Sequence, residues 1–353
     1  MRYLEIFFIV IFFANYQINA DLINEKILSA DIGSTRVKAA LLSRQMSFED
    51  LKNVSVVVFP SENWLGSDIE CFLNPYVNNS LAGRFLEPYH CIALSISCDL
   101  WRNTINLSRP NMPRNLKKCL TQQTEKTVYI ENDMVAWTRG ALYFQSLLKK
   151  KIAYPCLCIS LGTGATAAIA SSENDVTIIM LHLVNKDFNH LRTVVRKQTN
   201  KEPGYETSFI SKSFFQWIKE NHAEWDDIQI QVAFQERFNA CLQDLKEFLY
   251  KRDFDVKTIL IGGGNSRYLT KEKTKMSSSV DINLMNPEYF KQWQISPDLI
   301  SLLGTVQMVS ENLPASNQMP KLEDVYNISD AEKSQTCNLS FKKSGIKNES
   351  YSR

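Results

Sequence analysis

The chain has 353 residues, 44% of them hydrophobic and 22% charged, with 40 Lys and Arg against 38 Asp and Glu. Those proportions describe an ordinary globular protein of about two domains, long enough to bury a sizeable core and to leave a cleft between lobes. The near-balanced charge excludes an electrostatic footprint for nucleic acid, and eight cysteines without a Cys-x-x-Cys spacing exclude a zinc ribbon.

Behind Met1 and Arg2, residues 6–14 form an unbroken apolar run, IFFIVIFFA, followed by a polar stretch that ends at Ala20. The run falls short of the roughly 20 apolar residues that a spanning helix needs. It predicts a signal peptide over residues 1–20, with an uncleaved anchor as the other reading, and so points to export or membrane attachment.

Three short runs rich in Val, Ile and Leu come next, at 27–31, 37–42 and 54–59, each bounded by Gly, Ser, Asn or Pro. They read as strands joined by tight connections, and further strands are expected at 90–96 and 127–130. The pattern restarts at 156–161, 165–170 and 176–183, with two more strands at 258–261 and 280–284. Between them, Phe234, Phe238, Cys241, Leu242, Leu245, Phe248 and Leu249 follow the spacing of an amphipathic helix. Ser296 and Pro297 carry a helix-start signature, with Leu299, Leu302, Leu303 and Val306 on the inner stripe. Two halves with the same order of elements imply an α/β protein with mixed sheets and helices packed on them. Beyond Pro314 the composition turns to Asn, Ser, Lys and Glu, which predicts a disordered tail over 315–353.

Glycines mark three of the strand ends. In the first turn, Asp31, Gly33, Ser34, Thr35 and Lys38 make a candidate phosphate loop, because Gly33 permits a tight reversal and backbone N–H groups with the Thr35 hydroxyl can face an anion. Asp31, at the strand end, is a carboxylate that could hold Mg²⁺ through water. Gly162, Thr163 and Gly164 repeat the arrangement in the second half. Gly262, Gly263 and Gly264 end a third strand, where an absent side chain could admit a flat base or a ribose. Asp133, after Glu131 and Asn132 at the end of the 127–130 run, is the candidate general base; capping the helix that starts near Met134 is its alternative role.

These motifs, in this order and at these separations, resemble the ROK family of sugar kinases, which includes glucokinases, fructokinases and N-acetylmannosamine kinases and belongs to the actin-like ATPases. The resemblance covers residues 26 to about 312. It implies two actin-like, ribonuclease H-like lobes with a cleft between them, over 26–134 and 135–313, the final helix being free to pack back on the first lobe. It further implies ATP and Mg²⁺ as cofactors, a small-molecule sugar as partner, a cytoplasmic setting at odds with the leader, and a homodimer as a candidate assembly. By the same resemblance Asn111, Asn132, Asp187, His190 and Glu206 would hold sugar hydroxyls.

The chain departs from the family pattern at several points. The cysteines of the family's structural zinc loop are missing between His190 and Glu206, so no zinc is expected. Ser34 replaces a glycine, Thr166, Ala167 and Ala168 replace others, and Ser97 to Leu100 differ from a sugar-contacting turn. Two functions stay open: ATP-dependent phosphorylation of a hexose or N-acetylated hexosamine, and a weak or inactive pseudokinase that binds sugar or nucleotide as a signal.

Overall fold

Val, Ile, Leu and Ala fill the strand-forming runs. In the computed structural model, which describes residues 25–33, 36–60, 89–96, 98–99, 104–105, 116–162, 164–179, 212–274 and 280–312, they build two five-stranded sheets. The first contains β1 (Lys26–Ile32), β2 (Arg36–Ser43), β3 (Val57–Pro60), β4 (Cys91–Ile96) and β7 (Thr127–Asn132), in the order β3-β2-β1-β4-β7. A separate two-residue hairpin pairs β5 (Cys98–Asp99) with β6 (Thr104–Ile105). The second sheet contains β8 (Cys156–Leu161), β9 (Ala165–Ala170), β10 (Val176–Ile179), β11 (Thr258–Gly262) and β12 (Asp281–Met285), in the order β10-β9-β8-β11-β12. In both sheets three antiparallel strands lead and two parallel strands follow, so the repeated element order of the sequence is a repeated topology.

Seven helices surround and separate the sheets among the described residues. They are α1 (Phe48–Lys52), α2 (Leu116–Thr124), α3 (Asp133–Leu147), α4 (Lys212–Asn221), α5 (Asp227–Tyr250), α6 (Pro287–Lys291) and α7 (Leu299–Asn312). The period-2 alternation of each strand sends residues to two cores. On the outer face of the first sheet, Leu28, Ala30, Ile92 and Leu94 pack with Leu116 and Leu120 of α2. On the outer face of the second, Leu157, Ile159, Ile259 and Ile261 meet Phe214 of α4 and Phe234, Phe238 and Leu242 of α5. The inner faces of both sheets share one core with α3 and α7, in which Ile27, Ala40 and Ala93 lie on one side and Cys158, Ala168 and Leu260 on the other. Helix α7 lies on β1, β2, β4 and β7, although it ends the described chain, while α3 reaches β9 and β10.

The two central helices touch backbone to backbone. A Cβ on Gly304 would stand 1.6 Å from the Ala136 carbonyl oxygen, and one on Gly140 would stand 1.8 Å from that of Ile300. Only glycine allows a crossing this close.

Three expectations change in detail. The run expected as a strand from Val54 pairs only from Val57, because Ser47 and Asp50 form a reciprocal capping box that opens α1 and delays the chain. Ser296 does not cap α7: its hydroxyl accepts from the Asp298 amide at 3.3 Å in a turn, and the helix starts at Leu299. The run expected to 183 is a strand to Ile179, and its remainder lies outside the described residues, as do the leader over 1–20 and the tail over 315–353. All described residues fall in one unit that ends at Leu313. No described helix is long and apolar enough to cross a membrane.

Candidate functional site

Strand register brings four polar residues into one row at the edge of the first sheet. Lys38 pairs with Asp31, Asp31 with Ser95, and Ser95 with Glu131, so all four side chains share the inner face. Asp31 Oδ1 accepts from the Ser95 hydroxyl at 3.1 Å, and Oδ2 accepts from the Ser301 hydroxyl of α7 at 2.8 Å. The Lys38 ammonium lies 3.3 Å from Asp31 Oδ2 and 3.3 Å from Asp298 Oδ1, just before α7. Burial pulls Lys38 toward losing its proton, but the carboxylates of Asp31 and Asp298 outweigh it and hold its pKa above the ordinary lysine value. At the far end of the row, Glu131 pairs with Arg139 of α3 at 3.6 Å, and Arg139 also donates to the Asn174 carbonyl at 3.5 Å, beyond β9.

Both oxygens of Asp31 already have partners. Three of a carboxylate's roughly four acceptor positions are taken. Asp31, expected to hold Mg²⁺ through water, is held in this structure by an internal ion pair with Lys38.

At the end of β7 the chain turns into α3. Asn132, not Asp133, is the N-cap: its side-chain oxygen accepts from the amides of Met134 at 2.8 Å and Val135 at 3.4 Å. Asn132 thereby commits its oxygen to the helix. Asp133 is the first helical residue, and its Oδ1 accepts from the Met134 amide at 2.9 Å. The next side chain crosses to the second sheet, where the Thr166 hydroxyl donates to the Met134 sulfur at 3.1 Å.

The glycines of the three turns have different reasons to be glycine. Gly33 closes its turn by donating to the Arg36 carbonyl at 3.0 Å, and a Cβ there would meet that oxygen at 2.8 Å. Gly263 sits at φ +89°, and a Cβ there would stand 2.6 Å from the Leu161 carbonyl oxygen. Asn265 then bridges two of the turns by donating to the Gly162 carbonyl at 2.7 Å. The space expected at Gly262 for a base or ribose is filled, because the buried Trp137 indole of α3 would lie 2.6 Å from a Cβ there. Among the described residues, Gly164 and Gly264 have no atom beyond their chain neighbours within 4 Å of a would-be Cβ, and Gly162 has one at 3.8 Å, so these three face open space there.

Ser34, Thr35, Thr163, Asn111, Asp187, His190 and Glu206 lie outside the described residues, as does the stretch between His190 and Glu206 where no zinc is expected. Among the described residues, no group of three His, Cys, Asp or Glu could hold a metal ion. Sequence reasoning missed Ser95, Ser301, Asp298 and Trp137. One signal was available: Ser29 and Asp31 recur at period 2 on an otherwise apolar strand face. Both meet α7 four residues apart, Asp31 at Ser301 and Ser29 at Thr305, where the two hydroxyl oxygens are 2.6 Å apart.

No protein-family model and no curated protein sequence matches the chain. Among solved structures, an inorganic polyphosphate/ATP-glucomannokinase from Arthrobacter sp. strain KM is similar over 82% of this chain and 100% of its own, at 13% identity and a TM-score of 0.51. A ROK family protein from Streptococcus pneumoniae TIGR4 in complex with sucrose aligns at 17% identity over 82% of this chain and 100% of its own, with a TM-score of 0.48. A ROK family glucokinase from Streptomyces griseus in complex with glucose and AMPPNP aligns at 14% identity over 81% and 100%, with a TM-score of 0.44. The structural neighbours include sugar kinases and a ROK family transcriptional regulator, and the first shows the fold: two open, mixed sheets with flanking helices, as the sequence led us to expect.

Proposed function

We propose that the chain is an ATP-dependent sugar kinase of the ROK type, acting on a hexose or an N-acetylated hexosamine. The observation that carries this reading is the position of Asp133. It opens α3 two strands from Asp31 along one sheet edge, about 10 Å at the usual strand spacing. Its neighbour Met134 touches Thr166, two residues past the open Gly164. A carboxylate between two anion-binding turns suits a reaction in which a hydroxyl meets a phosphoryl group.

In the proposed reaction the sugar oxygen attacks the γ-phosphorus of ATP, the bond from that phosphorus to the β–γ bridging oxygen breaks, ADP leaves, and Asp133 takes the hydroxyl proton. The open glycines at 162, 164 and 264 would let backbone approach the phosphates and the nucleoside. Asn111, Asp187, His190 and Glu206 are proposed to hold the sugar hydroxyls. Lobe closure would keep water from competing as acceptor.

A second reading, a sensor that binds sugar or nucleotide without turnover, is favoured by Trp137 filling the space beside Gly262 and by the replaced loop glycines. The full chain, assayed for ADP release with ATP and a panel of hexoses and N-acetylhexosamines, separates the two. Turnover on one sugar, reduced roughly 10²- to 10⁴-fold by Asp133→Ala with sugar binding less affected, is expected of the kinase. Turnover that survives the substitution refutes Asp133 as base. Nucleotide-induced stabilisation without turnover on any sugar would favour the sensor.

A further inference from the structure

We infer that Asn265 is a positioning residue of the nucleotide site: by holding the Gly162 carbonyl it locks the second glycine turn onto the third, so that the phosphates of an incoming nucleotide meet a turn already set in place. The lock stands on geometry, and its service to a nucleotide rests on the kinase reading above.

Asn265 follows Gly262, Gly263 and Gly264 directly, where β11 ends and a single 3₁₀ turn runs from Gly264 to Tyr268. Parallel pairing sets Gly262 opposite Ser160 of β8, so the chain leaves both strands at the same edge of the second sheet. The third turn is fixed by its own residues. The buried Ser266 hydroxyl donates to the Gly263 carbonyl at 2.6 Å, and the Ser266 amide donates to the same oxygen at 3.1 Å. The second turn draws its support from the third. Its Gly162 amide donates to the Gly164 carbonyl at 2.9 Å, but the Gly162 carbonyl accepts from Asn265 Nδ2 at 2.7 Å, across 103 residues of chain. Gly162 and Gly164 face open space among the described residues, so a released carbonyl could swing to that side and oppose an anion with its negative oxygen. Asn265 prevents that rotation. A turn ordered before the ligand arrives spares the ligand the cost of ordering it. Asparagine suits the task, because its side-chain amide donates to a carbonyl and an ionised aspartate cannot.

Two measurements on the full chain test this. Hydrogen exchange resolved to the Gly162 amide judges the lock. Asn265→Leu keeps the shape and removes the donor, so it should speed that exchange by roughly 3- to 10-fold while the Ile259 and Ile261 amides of β11 exchange as before. An unchanged Gly162 amide would overturn the inference. Calorimetry with ATP and Mg²⁺, together with the ADP-release assay, judges the service to a nucleotide. Asn265→Leu should raise the dissociation constant and the KM for ATP by roughly 3- to 10-fold, the effect of one neutral hydrogen bond, and leave KM for the sugar within about twofold. ATP binding that the substitution leaves unchanged, or a KM that rises equally for both substrates, would overturn the positioning role. Should Asn265→Leu fail to fold, Asn265→Asp, of the same shape and without a donor when ionised, carries both measurements with the same expected directions. ATP bound without turnover refutes the kinase, and the dissociation constant alone then decides the positioning role. ATP that does not bind the unaltered protein refutes the kinase reading and the nucleotide half with it, and hydrogen exchange then judges the lock.

Discussion

Gly304→Ala is expected to be among the most damaging one-carbon changes available to the protein. The added Cβ would sit 1.6 Å from the Ala136 carbonyl oxygen, against an ordinary C···O approach of about 3.3 Å, so α3 and α7 must part by roughly 1.7 Å. No rotamer relieves the clash, because both contacting groups are backbone or fixed to it. A gap of 0.5–1 Å already forfeits about a quarter to a half of a dispersion contact, and α3 and α7 fill the core between both sheets. Overpacking of this kind costs about 1–3 kcal/mol and sometimes more, while alanine returns about 1 kcal/mol of helix propensity. Taking the upper end of that range for a 1.7 Å separation, a net loss of about 2 kcal/mol follows, read as a lower urea midpoint and a Tm lowered by roughly 4–8 °C. Gly264→Ala, with open space at its Cβ, should stay within about 0.5 kcal/mol of the parent. A Gly304→Ala protein that melts at or above the parent would refute the close crossing.

Asn132→Ala should remove about 1 kcal/mol by stripping two accepted bonds from the start of α3, and Asn132→Asp should recover most of it; an unchanged urea midpoint would mean that Asp133 takes over the cap. Because the folded pKa of Lys38 is raised, its ion pairs contribute in full below the ordinary lysine value of about 10.5 and are lost as pH rises through the folded value. The stability gap between the parent and Lys38→Met should therefore be flat from about pH 6 to 9 and shrink only above about 10.5, and a gap closing below pH 9 would contradict the pairing. Burial pushes the thiols of Cys91 and Cys241 up to about 12. At pH 8 their thiolate fraction is then on the order of 10⁻⁴, against about a quarter for a free cysteine, so both should resist iodoacetamide until urea is added, as site-mapped mass spectrometry would show.

The strands were legible because each is a run of Val, Ile, Leu and Ala cut off by Gly, Pro or Asn, and a local signal suffices for a local structure. Asp31, Asp133 and the three glycine turns were legible for the same reason, since strand-end carboxylates and glycines are visible without knowing what faces them. What faces them was not. Ser301 reaches Asp31, and Asp298 reaches Lys38, across 260 residues of chain or more, and nothing near either marks them as partners. Gly262 read as an opening, and only the packing of α3 on the second sheet brings Trp137 to it. Gly140 and Gly304 carry no mark in the sequence, yet each is required by the other helix's backbone. The Ser47 and Asp50 box was readable, but a five-residue helix gives too short a period to stand out against the strand that follows it.

The position of α7 bears on how the protein is made. The first sheet is complete in sequence at Asn132, yet the helix that covers its inner face ends at Asn312, 180 residues later (312 − 132). At about 5–20 residues per second a ribosome needs roughly 9 to 36 s to cross that interval. Throughout it, Ile27, Ala40, Leu42 and Ala93 lack their α7 cover, Asp31 lacks Ser301, and Lys38 lacks Asp298. The nascent first half is therefore a natural client for a chaperone, and a chain that stops before Leu299 would expose the same apolar face for its whole lifetime.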